Sequence, residues 1–85
     1  MNRRRPLRRL LSGAHQNVAF DDFIALVEGF GFVPLRRVGS HAIFAHSDVV
    51  ELVNVQNVAG EAKPYQIRQF LKLVERYNLH LEDAP

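Results

Sequence analysis

The chain has 85 residues, with 11 Lys and Arg against 9 Asp and Glu, four histidines and no cysteine. One small domain of this size buries only about 60% of its unfolded surface, which excludes an enzyme built around a deep multi-substrate cleft. Without cysteine there is neither a disulfide framework nor a thiolate zinc site, and a cytosolic protein is the natural expectation.

In chain order, the first feature is a basic arm. Arg3, Arg4, Arg5, Arg8 and Arg9 leave six basic residues against nine acidic ones in the remainder, a net charge of −3. The arm alone therefore carries the excess of positive charge, and the domain cannot be called basic. Only Leu10 and Leu11 separate it from Ser12 and Gly13, too short an apolar run for a signal peptide. No later stretch approaches a membrane span. Two uses of the arm stay open: a solvated, frayed terminus, or cations lying along RNA or DNA phosphates. In both, the segment Met1–Leu11 is expected to be dispensable for folding. The polar stretch Ser12–Asn17 reads as a linker, so residues 1–17 precede a domain expected over 18–80, with a tail at 81–85.

Phe20, Phe23, Ile24 and Val27 fall at i, i+3, i+4 and i+7 and predict a helix over Asp21–Glu28. Asp21 and Asp22 suit its start, and Gly29 and Gly31 its end. Three strands follow, Phe32–Arg37, Ser40–His46 and Val49–Val55, separated by Val38-Gly39 and Ser47-Asp48, which suit tight turns. Such short connections require an antiparallel meander. Gln56–Lys63 reads as a loop. Pro64 then opens a second helix, whose stripe of Ile67, Phe70, Leu71, Val74 and Tyr77 runs to about Asn78. Glu82–Pro85 reads as unstructured. The fold class is α+β in the order α-β-β-β-α, a three-stranded antiparallel sheet with two helices on one face, the arrangement of double-stranded RNA-binding domains. The other face is left free for a partner.

Gly31-Phe32 closing the first helix, then Arg36, then Gly39-Ser40-His41 with Ile43-Phe44 just after, resembles the HicA toxins. The match continues through His46 and Lys63-Pro64 and covers roughly Phe20 to Asn78. Many relatives carry Gly-Thr after the helix-opening proline, where this chain has Tyr65-Gln66, a departure that bears on contacts near the helix start. The resemblance implies cleavage of mRNA, growth arrest, and inhibition by a HicB antitoxin, with no cofactor.

RNA carries its own nucleophile, the 2′-hydroxyl, so its cleavage needs a base, charge at the phosphate and a proton for the leaving oxygen. Histidine suits the first task because it exchanges a proton near neutrality. His15 lies in the linker and His80 near the tail, where neither is expected to be held. His41, after Gly39-Ser40, is exposed by position yet fixed by a strand. Taken alone it is better read as an ordinary strand histidine; the resemblance makes it the catalytic one. His46, five residues on, should point to the opposite face unless a bulge intervenes, which disfavours a two-histidine mechanism. Arg36, matched to the family pattern, is preferred to Arg37 as a phosphate contact. Lys63 would add its charge to a helix N-terminus, and Ser40 and Gly39 would either contact RNA or merely shape the turn. Asp21, Asp22, Asp48 and Glu51 are not clustered as a magnesium site requires, so no metal is expected. A catalytically silent RNA-binding module and a protein-interaction domain remain the alternatives.

Overall fold

The computed structural model describes residues 10, 13 and 15–82. The order is α1 (Phe20–Gly29), β1 (Val33–Val38), β2 (His41–His46), β3 (Val49–Val58), β4 (Glu61–Ala62) and α2 (Pro64–Arg76). The strands form one antiparallel sheet in the order β1-β2-β3-β4. The α+β class and its element order are those expected, and the sheet gains a fourth, two-residue strand.

Both helices end through the same backbone device. At the end of α1, the Phe32 N–H donates to the Val27 carbonyl at 3.4 Å and the Gly31 N–H to that of Glu28 at 2.9 Å. This is a Schellman arrangement around Gly31, whose φ of +92° is natural only for glycine. At the end of α2, Leu79 donates to Val74 at 2.9 Å and Asn78 to Glu75 at 3.2 Å, with Asn78 at φ +53°. Asparagine tolerates this left-handed position better than most residues. Each motif also packs the residue after the turn, Phe32 or Leu79, with the core.

The stretch expected to be a loop, Gln56–Lys63, instead extends β3 to Val58 and folds back as β4. The intervening turn has Ala59 at φ +52° and Gly60 at +86°. Positive φ at both central residues is the type I′ geometry that matches strand twist. Alanine is an uncommon occupant there, and the Asn57 Oδ1 accepts the Gly60 N–H at 2.8 Å to hold the turn. Val18 and Ala19 then close this edge, since Ala62 N–H donates to Val18 O at 2.9 Å and Ala19 bridges Glu61.

The core lies between the sheet and the two helices. Phe70 of α2 meets Phe23, Phe30 and Phe32 edge-on, with centroids 5.4, 5.6 and 5.5 Å away. From the sheet, Ala42, Phe44, Val53 and Val55 are buried against them. Two further segments join the core unannounced by periodicity. Leu79 and Leu81 pack against it, and the Glu82 N–H donates to the Gly29 carbonyl at 2.6 Å, so Glu82 is not part of an unstructured tail; residues 83–85 lie outside those described. Leu10 is only 3% exposed and belongs to the core. Its carbonyl accepts from His15 Nε2 at 2.8 Å, so this linker histidine is held in place. The arm proper, residues 1–9, lies outside the described residues, but the expectation that everything through Leu11 is dispensable for folding is corrected by Leu10. Among the described residues no helix is long and apolar enough to cross a membrane.

On β3, the Glu51 carboxylate accepts from Tyr77 Oη at 2.6 Å and pairs with Arg76, tying the end of α2 to the sheet. The tyrosine hydrogen bond, above all, lowers the Glu51 pKa from its usual value.

Two outcomes follow for stability. Leu10→Ala should cost about 2–3 kcal/mol in denaturant unfolding, as for other buried leucines. A depressed carboxylate stabilises at pH values above its unfolded pKa and loses that contribution as pH falls through the folded value. The stability advantage of the wild type over Glu51→Gln should therefore be present at neutral pH and shrink in thermal melts taken progressively below pH 4.5.

Candidate functional site

Cross-strand partners share a face of the sheet, which makes the open face readable from the register. Val38 pairs with His41 and His41 with Gln56; Arg36 pairs with Ile43 and Ile43 with Asn54. Ala42 and Phe44, between them, are buried toward the helices. The uncovered face thus carries two successive rows, Val38–His41–Gln56 and Arg36–Ile43–Asn54. Arg36 and Asn54 are the diagonal neighbours of His41 on either side, within reach of long side chains.

The turn before His41 consists of Gly39 and Ser40, one residue later than Val38-Gly39. Gly39 has φ +59° and Ser40 does not share the positive sign, as in the type II′ turn that places glycine first. A methyl group at Gly39 would meet nothing within 4 Å, so glycine answers a backbone demand and the space beside it is open. The Ser40 hydroxyl oxygen accepts from Gln56 Nε2 at 3.3 Å.

His41 Nδ1 lies 2.9 Å from Asn54 Oδ1. Asn54 was not among the residues singled out from sequence, although a signal existed. Counting outward from the Ser47-Asp48 turn sets it opposite His41; the irregularity between Phe44 and His46 moves the direct partner to Gln56 without changing the face.

That irregularity adds its extra residues to β3, so alternation along β2 is unbroken and His46 faces the helices. Its ring lies edge-on to Phe32 at 5.0 Å and its Nδ1 accepts the Asp48 N–H at 3.0 Å. Together with Tyr77, Leu79, His80 and Glu82 it lines a cleft of about 300 Å³ on the opposite side from His41. Arg37 also stands apart from His41: it pairs with buried Ala42, and its guanidinium lies 5.8 Å from the Phe20 ring centroid.

Lys63 is the residue just before α2, with Pro64 in the first turn. Its ammonium group sits 5.6 Å from the Tyr65 ring centroid. Since Asn57 pairs with Ala62, Lys63 comes next in line beside Gln56, one strand beyond His41. Gln66, in the departing Tyr65-Gln66 pair, is 6% exposed, and its Oε1 accepts the Gln56 N–H at 2.8 Å. A side chain thereby continues the ladder where the backbone has turned into the helix.

Around these polar groups the open face is apolar. Val50 is 89% exposed, Val33 57% and Leu52 and Val38 56% each. Of the acidic strand residues, Glu51 points to α2, while Glu61, paired with Val58 at the β4 edge, is exposed on this face. Among the described residues no group of three or more His, Cys, Asp or Glu is arranged to hold a metal ion.

Comparison with curated proteins and with solved structures gave no significant match. A family model described as the HicA toxin of bacterial toxin-antitoxin matches residues 20–75, from the first residue of α1 to the penultimate residue of α2. The matched stretch is more than half of the chain and contains Arg36, Gly39, Ser40, His41 and Lys63. This chain belongs to the HicA toxin family, whose members pair with antitoxins.

Proposed function

We propose that this protein is a metal-independent endoribonuclease acting on mRNA in the cytoplasm as the toxin of a type II toxin-antitoxin pair, with His41 as its general base. The observation that carries the reading is where the four histidines stand. His15 is bound to the Leu10 carbonyl, His46 is packed on Phe32, and His80 lies beyond α2. His41 alone stands on the open face beside a tight turn, with Arg36 on its diagonal. Family membership supports the toxin function.

The imidazole takes the proton of a 2′-hydroxyl as its oxygen attacks the adjacent phosphorus. The 2′-oxygen–phosphorus bond forms, the phosphorus–5′-oxygen bond breaks, and the leaving oxygen takes a proton from water. The products are a 2′,3′-cyclic phosphate and a 5′-hydroxyl. Arg36 supplies charge at the phosphate, and Lys63, at the positive end of α2, holds a neighbouring one. Gly39 leaves room for the RNA backbone, and the Ser40 hydroxyl offers a hydrogen bond. With one histidine and no positioned acid, cleavage is slow, which suffices for a toxin. The arginine arm adds phosphate contacts that strengthen with falling salt.

Exposed valines and leucines around a small cationic centre favour a protein partner over this same face. A HicB-type antitoxin bound there covers His41 and buries the apolar rows.

His41→Ala should lower cleavage of a model RNA at least about 100-fold and relieve growth arrest, while stability stays within about 0.5 kcal/mol and RNA binding persists. Wild-type cleavage should survive a chelator and fall at acid pH as imidazole is protonated. Full activity in a folded His41→Ala protein would sink the assignment, and RNA binding without cleavage by the wild type would favour a silent module. In the antitoxin complex, hydrogen exchange should slow at Gly39–His41, Val50–Asn54 and the Lys63 end of α2. Protection confined to the segment after α2 would point to an indirect block.

A further inference from the structure

We infer that Asn54 is a positioning residue that holds His41 in the tautomer able to act as a base; the inference rests on His41 having that role. An amide oxygen can only accept a hydrogen bond. With the amide oriented so that Oδ1 faces the ring, the 2.9 Å contact between His41 Nδ1 and Asn54 Oδ1 puts the ring proton on Nδ1. In the neutral imidazole this leaves the lone pair on Nε2, the nitrogen remote from the backbone, which has no protein partner among the described residues. Free imidazole side chains favour the opposite tautomer, with the proton on Nε2 and no base at the exposed end of the ring. A hydrogen bond to one nitrogen decides which form is present.

The placement of Asn54 gives this bond a fixed geometry. The neighbouring residues Val53 and Val55 are buried, at 5% and 0% exposure. The N–H of Gln56 is anchored by Gln66 of α2, so the strand carrying Asn54 is held by the core and by the second helix. Asparagine is disfavoured in mid-strand, and apart from half-buried Gln56 the other positions of β3 on this face hold Val50, Leu52 and Val58. A β-branched residue would suit position 54 better if its only task were to form a sheet. The His41 bond is a reason for its polarity. Asn54 also stays bonded through a catalytic cycle, because Nδ1 keeps its proton whether or not Nε2 is protonated.

The test is ¹⁵N NMR of histidine-labelled full-length protein at alkaline pH, where imidazole is neutral, with Asn54→Val and Asn54→Asp alongside. The wild type should show the Nδ1–H form of His41, and Asn54→Val should convert it largely to Nε2–H. Cleavage by Asn54→Val should fall about 10- to 100-fold, part of the factor that a positioned general base contributes, in kcat with little change in KM. Asn54→Asp keeps the acceptor, so it should keep the Nδ1–H form and move the acid limb of the pH–rate profile to higher pH. An Nε2–H tautomer in the wild type, or an Nδ1–H tautomer that persists in folded Asn54→Val, overturns the inference whatever the activity. If Asn54→Val fails to fold, the wild-type tautomer and the Asn54→Asp profile still decide. The expected tautomers in a wild type that cuts no RNA would uphold the positioning and refute the base.

Discussion

Phe70 is the contact on which the rest of the molecule depends. It meets one ring from the body of α1, one from the turn that ends α1 and one from the entry to β1. Edge-on packing of this kind adds about 0.5–1.5 kcal/mol per pair beyond burial, and it commits one side of the sheet to the helices. Strand alternation does the remainder. Once Phe44, Val53 and Val55 are committed to that side, Arg36, His41 and Asn54 must occupy the other. The exposed side of the sheet is thus a consequence of the aromatic core.

The same division separates two histidines in one short strand. His46, set toward the helices, spends its ring on Phe32 and its Nδ1 on a turn N–H. His41 bonds to a side chain and leaves its outer nitrogen to solvent. A surface site built this way needs no cleft, since an RNA chain can lie along a sheet face and bring its own nucleophile. A partner protein can cover the same flat area.

Much of this was legible in the residues because strong periodicity and specific terminators marked the elements. The i, i+3, i+4, i+7 pattern from Phe20 and the stripe from Ile67 located both helices, and Gly31 and Pro64 marked an end and a start. What escaped lacked a local signature. The β3–β4 hairpin was hidden because Ala59 takes a positive φ that alanine seldom adopts, with Asn57 compensating from outside the turn. Leu10 was obscured by the arginines before it, and Leu79 and Leu81 follow a helix end without enough apolar neighbours to set a period. Asn54 is one polar residue in a strand. Its place beside His41 is read only by counting the register of the β2–β3 hairpin, because the side chain it bonds is 13 residues away.

Among the described residues β1 has no partner on its outer side, and this edge bears on how the protein behaves when crowded with copies of itself. All six of its residues are exposed, and Val33, Leu35 and Val38 are among them. Such an edge ordinarily invites another chain to add a strand and continue the sheet without limit. Here Pro34 removes a donor from the ladder, the break in register between Pro34 and Arg36 bends the strand, and Arg36 and Arg37 set like charges against any second β1 laid alongside. The residues that guard the edge thus include Arg36, the one proposed above to contact the phosphate, so replacing it by a neutral apolar residue would lower solubility as well as remove that proposed contact.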